Sequence, residues 1–142
     1  MVNEEPIRSA VVAMLKAIGD NPSREGLKNT PQRVSRMYAD LFSGIGIDPH
    51  SALDAIFEEE ECREEMVIVR DVPFFSMCEH HLLPFFGHAH MGYIPDGKIA
   101  GASKLIRTLE VVAHRPQIQE RMTGQVADVI QDVLAPDGAA VV

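Results

Sequence analysis

A thiol and two imidazoles crowd into four residues, Cys78-Glu79-His80-His81, between two apolar runs. Val67-Ile68-Val69-Arg70-Asp71-Val72-Pro73-Phe74-Phe75 precedes them, and Leu82-Leu83-Pro84-Phe85-Phe86 follows. Runs rich in β-branched and aromatic residues read as strands, so Cys78 to His81 is the turn between antiparallel partners. That feature constrains the fold most, because a two-stranded sheet is marginal alone and something must complete it. Cys78 and His81 have C-x-x-H spacing, which lets one tight turn present two soft ligands to one metal ion. His80 lies between them, points elsewhere and is free for proton work. The plainer alternative is a buried Cys and two hydrogen-bonded His with no metal.

The chain before the turn is helical. Ile7, Ala10, Val11, Met14, Leu15 and Ile18 fall at helical spacing, which predicts a helix over Pro6 to Gly19. A polar connector follows. Thr30 as N-cap and Pro31 at the first helical position start a second helix, with Val34, Met37, Tyr38 and Leu41 as its stripe. Arg33 and Arg36 sit together off that stripe; such a pair is usually a solvated face. A short third helix is expected over Ser51 to Phe57, then an exposed acidic loop over Glu58 to Glu61.

From Met66 the period changes. Met66 to Phe75 and Phe86 to Ile94 read as antiparallel strands, Pro95-Asp96-Gly97 as a turn, and Lys98 to Ala100 as extended chain. Two helices follow. The first has Ser103 as its N-cap and Leu105, Ile106, Leu109, Val112 and Ala113 inside. The second runs from Pro116 to Leu134. Ala139 to Val142 looks like the start of a further strand. Runs of helices and then strands predict an α+β fold with an antiparallel sheet. The reading divides the chain into an N-terminal helical segment, 1–64, and a core, 65–142, within one functional domain.

Composition narrows the function. The 142 residues are 46% hydrophobic, enough for a core, and no run approaches a membrane span. The start carries no apolar signal region, so a cytoplasmic protein is expected. Two cysteines, Cys62 and Cys78, are too few for a disulfide framework. A net charge of −8 argues against a general nucleic-acid surface. It leaves room for a local basic pocket that takes a small phosphorylated ligand.

Zinc on Cys78 and His81 would need a third protein ligand, since catalytic sites typically have three plus water. Cys62 is the only other thiol; His88 and His90 share a strand face but read as ordinary strand residues. A structural site would need four closed ligands, and the chain has no second Cys pair. Zinc would acidify its water, and His80 could give a proton to a leaving group, which suits hydrolysis at an electrophilic carbon. A second cluster, Ser103, Lys104 and Arg107, opens a helix whose first amides favour phosphate. Gln119 and Glu120 lie early in the next helix. An acidic residue there usually just complements the helix dipole. A carboxylate in a pocket also reads a guanine edge, by accepting its ring N–H and exocyclic amine.

Taken together the chain resembles GTP cyclohydrolase I. The likeness runs in order through Glu25-Gly26-Leu27, Thr30-Pro31-Gln32-Arg33-Val34, Phe42-Ser43-Gly44, Cys78 to Gly87, Tyr93-Ile94-Pro95, Gly101 to Leu105 and Arg115 to Thr123. The resemblance implies the tunnelling fold, with helices backing an antiparallel sheet and subunits joined in a ring. It implies a homodecamer of two pentamers with active sites at subunit boundaries. It implies opening of the GTP imidazole ring, release of formate and formation of dihydroneopterin triphosphate for folate or biopterin synthesis. Cys78 and His81 become zinc ligands, and His80 the proton donor to the imidazole nitrogen. Gln119 and Glu120 become guanine contacts, and Ser103, Lys104 and Arg107 contacts to triphosphate or ribose. Arg33 and Arg36 become triphosphate contacts from a neighbouring subunit; Arg36 stands where bacterial members usually have Lys.

The family pattern continues with two more strands that carry a His, the third zinc ligand (a Cys) and an Arg. This sequence stops at Val142, before them. The expectation is a chain truncated inside a buried strand. Two functions follow: the zinc-dependent hydrolase, or a non-catalytic relative that binds nucleotide or supports assembly.

Overall fold

The computed structural model describes residues 2–58 and 65–142. Contacts group the chain into two compact units, Met1–Ser43 and Gly44–Val142. The boundary expected at residue 64, the acidic residues 59–61 and Cys62 lie outside the described residues.

The first unit is a helix pair. Helix α1, Glu4–Ala17, starts two residues before the predicted Pro6. The side chain of Asn3 accepts from the Glu5 N–H at 3.3 Å, and Glu4 and Glu5 complement the dipole of the first turn. Gly19 closes the segment at φ +86°, a conformation that suits glycine. Helix α2 covers Thr30–Leu41, with Asn29 at the N-cap position. Thr30 is therefore already helical and does not cap. The two helices pack through polar groups as well as apolar ones. Buried Ser35 donates to Glu4 Oε2 at 3.0 Å, and Arg8 Nη1 donates to Gln32 Oε1 at 2.7 Å. Arg33 and Arg36 are exposed on α2.

The second unit carries the sheet. The helix expected over Ser51 to Phe57 does not form. Residues Pro49–Ala52 make one 3₁₀ turn, capped by Asp48, and Ile56–Glu58 form strand β1. β1 pairs antiparallel with β4, Lys98–Ala100, in the register Ile56↔Ala100, Phe57↔Ile99 and Glu58↔Lys98. That partner is some forty residues away, so local propensity does not reveal it.

The main sheet has the order β5 (Pro116–Gln117), β2 (Val67–Cys78), β3 (Pro84–Ile94), β6 (Gly138–Val141). Its centre is the antiparallel pair β2, Val67–Cys78, and β3, Pro84–Ile94, which run further toward the turn than the sequence suggested. A bulge between Val69 and Val72 shifts the register, with Asp71 at φ +58°. The ring of His90 accepts the Asp71 N–H through Nδ1 at 3.3 Å. The bulge has a packing cause. In β3 the core side carries Phe85, Ala89, Met91 and Tyr93, all odd-numbered. In β2 it carries Val67 and Val69, then Val72 and Phe74. An unbulged strand would send one of those pairs outward, because side chains alternate strictly.

Helix α3, Ala102–Ala113, has Gly101 as its N-cap, not Ser103. Strand β5, Pro116–Gln117, takes the place of the predicted start of the next helix and pairs parallel with β2, Met77↔Pro116 and Cys78↔Gln117. Helix α4 then runs Gln119–Leu134 and ends at Ala135, φ +47°, before Pro136. The strand expected at the end is β6, Gly138–Val141, antiparallel to β3. Leu105, Leu109, Val112 of α3 and Met122, Val126, Val129, Ile130 of α4 bury one sheet face. On the other face Ile68, Phe75 and Phe86 remain exposed, Phe86 by 85%.

Candidate functional site

The turn at the end of β2 is built by two backbone hydrogen bonds. Cys78 N–H donates to Leu83 O at 2.8 Å, and Leu82 N–H to Cys78 O at 2.9 Å. Closure requires Leu82 at φ +52°, unusual for a branched side chain. The loop brings Cys78 Sγ to 3.4 Å from His81 Nδ1. Two donors on one tetrahedral zinc, at its usual bond lengths, stand about 3.6 Å apart. The pair therefore fits as two donors to one ion. The backbone N–H of His80, and after it that of His81, lower the Cys78 pKa against desolvation, toward the thiolate that binds metal. Among the described residues, no group of three or more His, Cys, Asp or Glu is placed to hold a metal.

His80 does not point elsewhere, as the sequence suggested: its side chain stays beside Cys78 as a hydrogen-bond partner that also lowers the thiol pKa. Its Nε2 lies 3.7 Å from Glu79 Oε1, and its ring stands at 74° to that of His81. Glu79 in turn is gripped by Arg121 of α4. Arg121 Nη2 donates to Oε1 at 2.9 Å, and Nη1 donates to Oε2. The Arg121 guanidinium holds the Glu79 carboxyl below its ordinary value. Neither Glu79 nor Arg121 stood out from the sequence, because an acid in a turn and a base on a helix are each commonplace.

Gln119 and Glu120 open α4 and are exposed. Gln119 lines a cleft of about 130 Å³ with Phe74, Phe85, His88 and Thr123. Ser103, Lys104 and Arg107 border a shallower depression of about 310 Å³ with Ile106 and Glu110. The two hollows share no lining residue, and Cys78, His80 and His81 line neither. Lys104 Nζ is engaged by Asp54 Oδ1 at 2.6 Å, which lowers the Asp54 pKa. Asp54 was missed in the sequence; the predicted helix around it hid its approach to α3.

A mainly antiparallel sheet backed by two helices, with a Cys–His turn at the end of its central pair, defines an α+β protein with a candidate metal-binding turn. The family described as GTP cyclohydrolase I matches residues 7–142. The chain is 53% identical over 139 residues to GTP cyclohydrolase 1 of Streptococcus agalactiae serotype V, covering 97% of this chain and 73% of that protein. It is 55% identical over 142 residues to GTP cyclohydrolase 1 of Halalkalibacterium halodurans, covering 99% and 74%. It is 55% identical over 143 residues to that of Carboxydothermus hydrogenoformans, covering 100% and 73%. The chain belongs to the GTP cyclohydrolase I family, whose tunnelling fold accounts for this sheet and its helices. No helix among the described residues is long and apolar enough to cross a membrane.

Proposed function

We propose that the chain works as a zinc-dependent GTP cyclohydrolase I, which opens the imidazole ring of GTP, releases formate and yields dihydroneopterin triphosphate for folate or pterin synthesis. The hydrolase assignment follows from family membership; the observation that carries the site is the 3.4 Å approach of Cys78 Sγ to His81 Nδ1. In this reading Cys78 and His81 hold the zinc, and the third donor comes from outside the described residues. Zinc, when bound, supplies a Lewis acid that makes water nucleophilic near neutral pH.

The chain's own residues do the rest. His80, exposed beside the metal turn, gives a proton to the departing imidazole nitrogen. Glu120 accepts the guanine ring N–H and amine, and Gln119 completes that edge. Ser103 and the first amides of α3 meet phosphate, and Arg107 adds charge. Lys104 joins them by exchanging Asp54 for a phosphate oxygen. Arg33 and Arg36 reach the triphosphate of a neighbouring subunit in a cytoplasmic decamer of two pentamers. The reading as a nucleotide-binding or assembly module without turnover is not favoured, since the matched family and relatives are cyclohydrolases.

The test is zinc content and formate release, with Cys78→Ser beside the unaltered chain. The variant should lose stoichiometric zinc, and any GTP-dependent formate release should go with it. Stoichiometric zinc retained by Cys78→Ser would remove the ligand assignment.

A further inference from the structure

The turn that carries Cys78 and His81 is fastened twice to the segment that carries Gln119 and Glu120. The backbone fastening is Glu79 N–H to Gln117 O at 3.1 Å, beside the Cys78↔Gln117 register of β2 and β5. The side-chain fastening is the two-pronged grip of Arg121 on Glu79. The two attachment points, Gln117 and Arg121, bracket Gln119 and Glu120. A forked pair fixes orientation as well as distance. The side chains are 43% and 27% exposed, so the pair adds little to stability. Its significance lies in what it joins. The same carboxylate faces His80 at 3.7 Å, so one group touches both the turn's imidazole and α4.

We propose that Glu79 and Arg121 are positioning residues that lock the metal-binding turn to the purine-reading start of α4, so that zinc and guanine nucleotide bind as a coupled pair. The inference rests on the roles proposed above for Cys78, His81, Gln119 and Glu120. Neither residue touches the reacting atoms. By linkage, the factor by which zinc tightens GTP must equal the factor by which GTP tightens zinc.

The test compares the unaltered chain with Arg121→Ala, Arg121→Lys and the reversed pair Glu79→Arg/Arg121→Glu. Zinc affinity is measured against a chromogenic chelator with and without saturating GTP, with ATP as control. Hydrogen exchange is followed on the ligand-free chain. In the unaltered chain GTP should tighten zinc by about fivefold or more, within the usual range of site–site coupling. Arg121→Ala should reduce that factor to within about twofold and leave the melting temperature nearly unchanged. Arg121→Lys should restore part, and the reversed pair more. In the ligand-free protein, Arg121→Ala should speed exchange at the Cys78 and Leu82 amides about tenfold, with the β3–β6 amides unaffected. Unchanged coupling, or unchanged exchange at the turn, in Arg121→Ala would overturn the proposal. So would a reversed pair that recovers nothing. Failure of the site assignment itself would show in the unaltered chain, as no bound zinc or no preference for GTP over ATP. The exchange arm judges the fastening in either case.

Discussion

Tyr93 shows how much one hydroxyl can hold. The side chain is 2% exposed, and its oxygen accepts the Ala100 N–H at 2.9 Å. Burial pushes the phenol pKa up, partly opposed by that amide. The bond ties β4 to β3 across the turn that separates them. Tyr93→Phe keeps the ring and leaves the Ala100 amide unpaired, so it should cost about 1–3 kcal/mol. Thermal or denaturant unfolding reads this directly, and a loss well under about 0.5 kcal/mol would mean that another acceptor reaches the amide. Cys78 works at the same scale. Two backbone amides favour its thiolate, the form of the sulfur that a metal ion would bind.

Among the elements, the junction of Gly44 with α3 and the residues that follow it is the least forgiving. A Cβ on Gly44 would lie 2.1 Å from Val111 O and 3.1 Å from His114 O, both backbone atoms. Gly44 N–H donates to His114 O at 3.1 Å, and Arg115 Nε donates to Gly44 O at 3.0 Å. Gly44→Ala should destabilise the chain by about 2 kcal/mol or more, because the obstructing atoms belong to backbone that cannot swing aside. A melting temperature equal to that of the unaltered chain would show that the segment shifts freely. The bulge in β2 follows the same logic: one added residue keeps two sets of apolar side chains on the core face.

In the larger unit as a whole, a histidine links the segment before the sheet to its last helix. His50 Nδ1 lies 2.8 Å from Asp48 Oδ1, and Nε2 lies 3.2 Å from Asp132 Oδ2 of α4. Asp48, before Asp132, raises the His50 pKa, and His50 lowers that of Asp48; Arg115 is a further charge facing Asp48. A raised His value means stabilisation that is complete below the ordinary value, about 6.5, and is lost as pH rises through the folded one. A lowered Asp value means stabilisation present above about 3.8 and lost on acidification. The bridge should therefore contribute most between about pH 4 and 6.5. Melting curves of the chain and of His50→Gln across pH should differ most near pH 5–6 and converge above the raised His value. A pH-independent difference would assign the effect to packing instead of charge.

Sequence alone determined the α+β class, the central hairpin, both helices that back it and the closing strand. Each rests on periodicity or turn chemistry that operates within a few residues. It also marked Cys78 and His81, because their spacing is itself a local geometry. Tertiary structure decided what distance along the chain conceals. Ile56 to Glu58 became a strand because Lys98 to Ala100 offered an edge, and Pro116-Gln117 left the helix to pair with β2. Gly101 displaced Ser103 at the cap, Asp54 engaged Lys104, and Arg121 found Glu79. Those outcomes depend on contacts between residues that only a folded core brings together, where long-range pairing overrides the weak local preference of any short stretch.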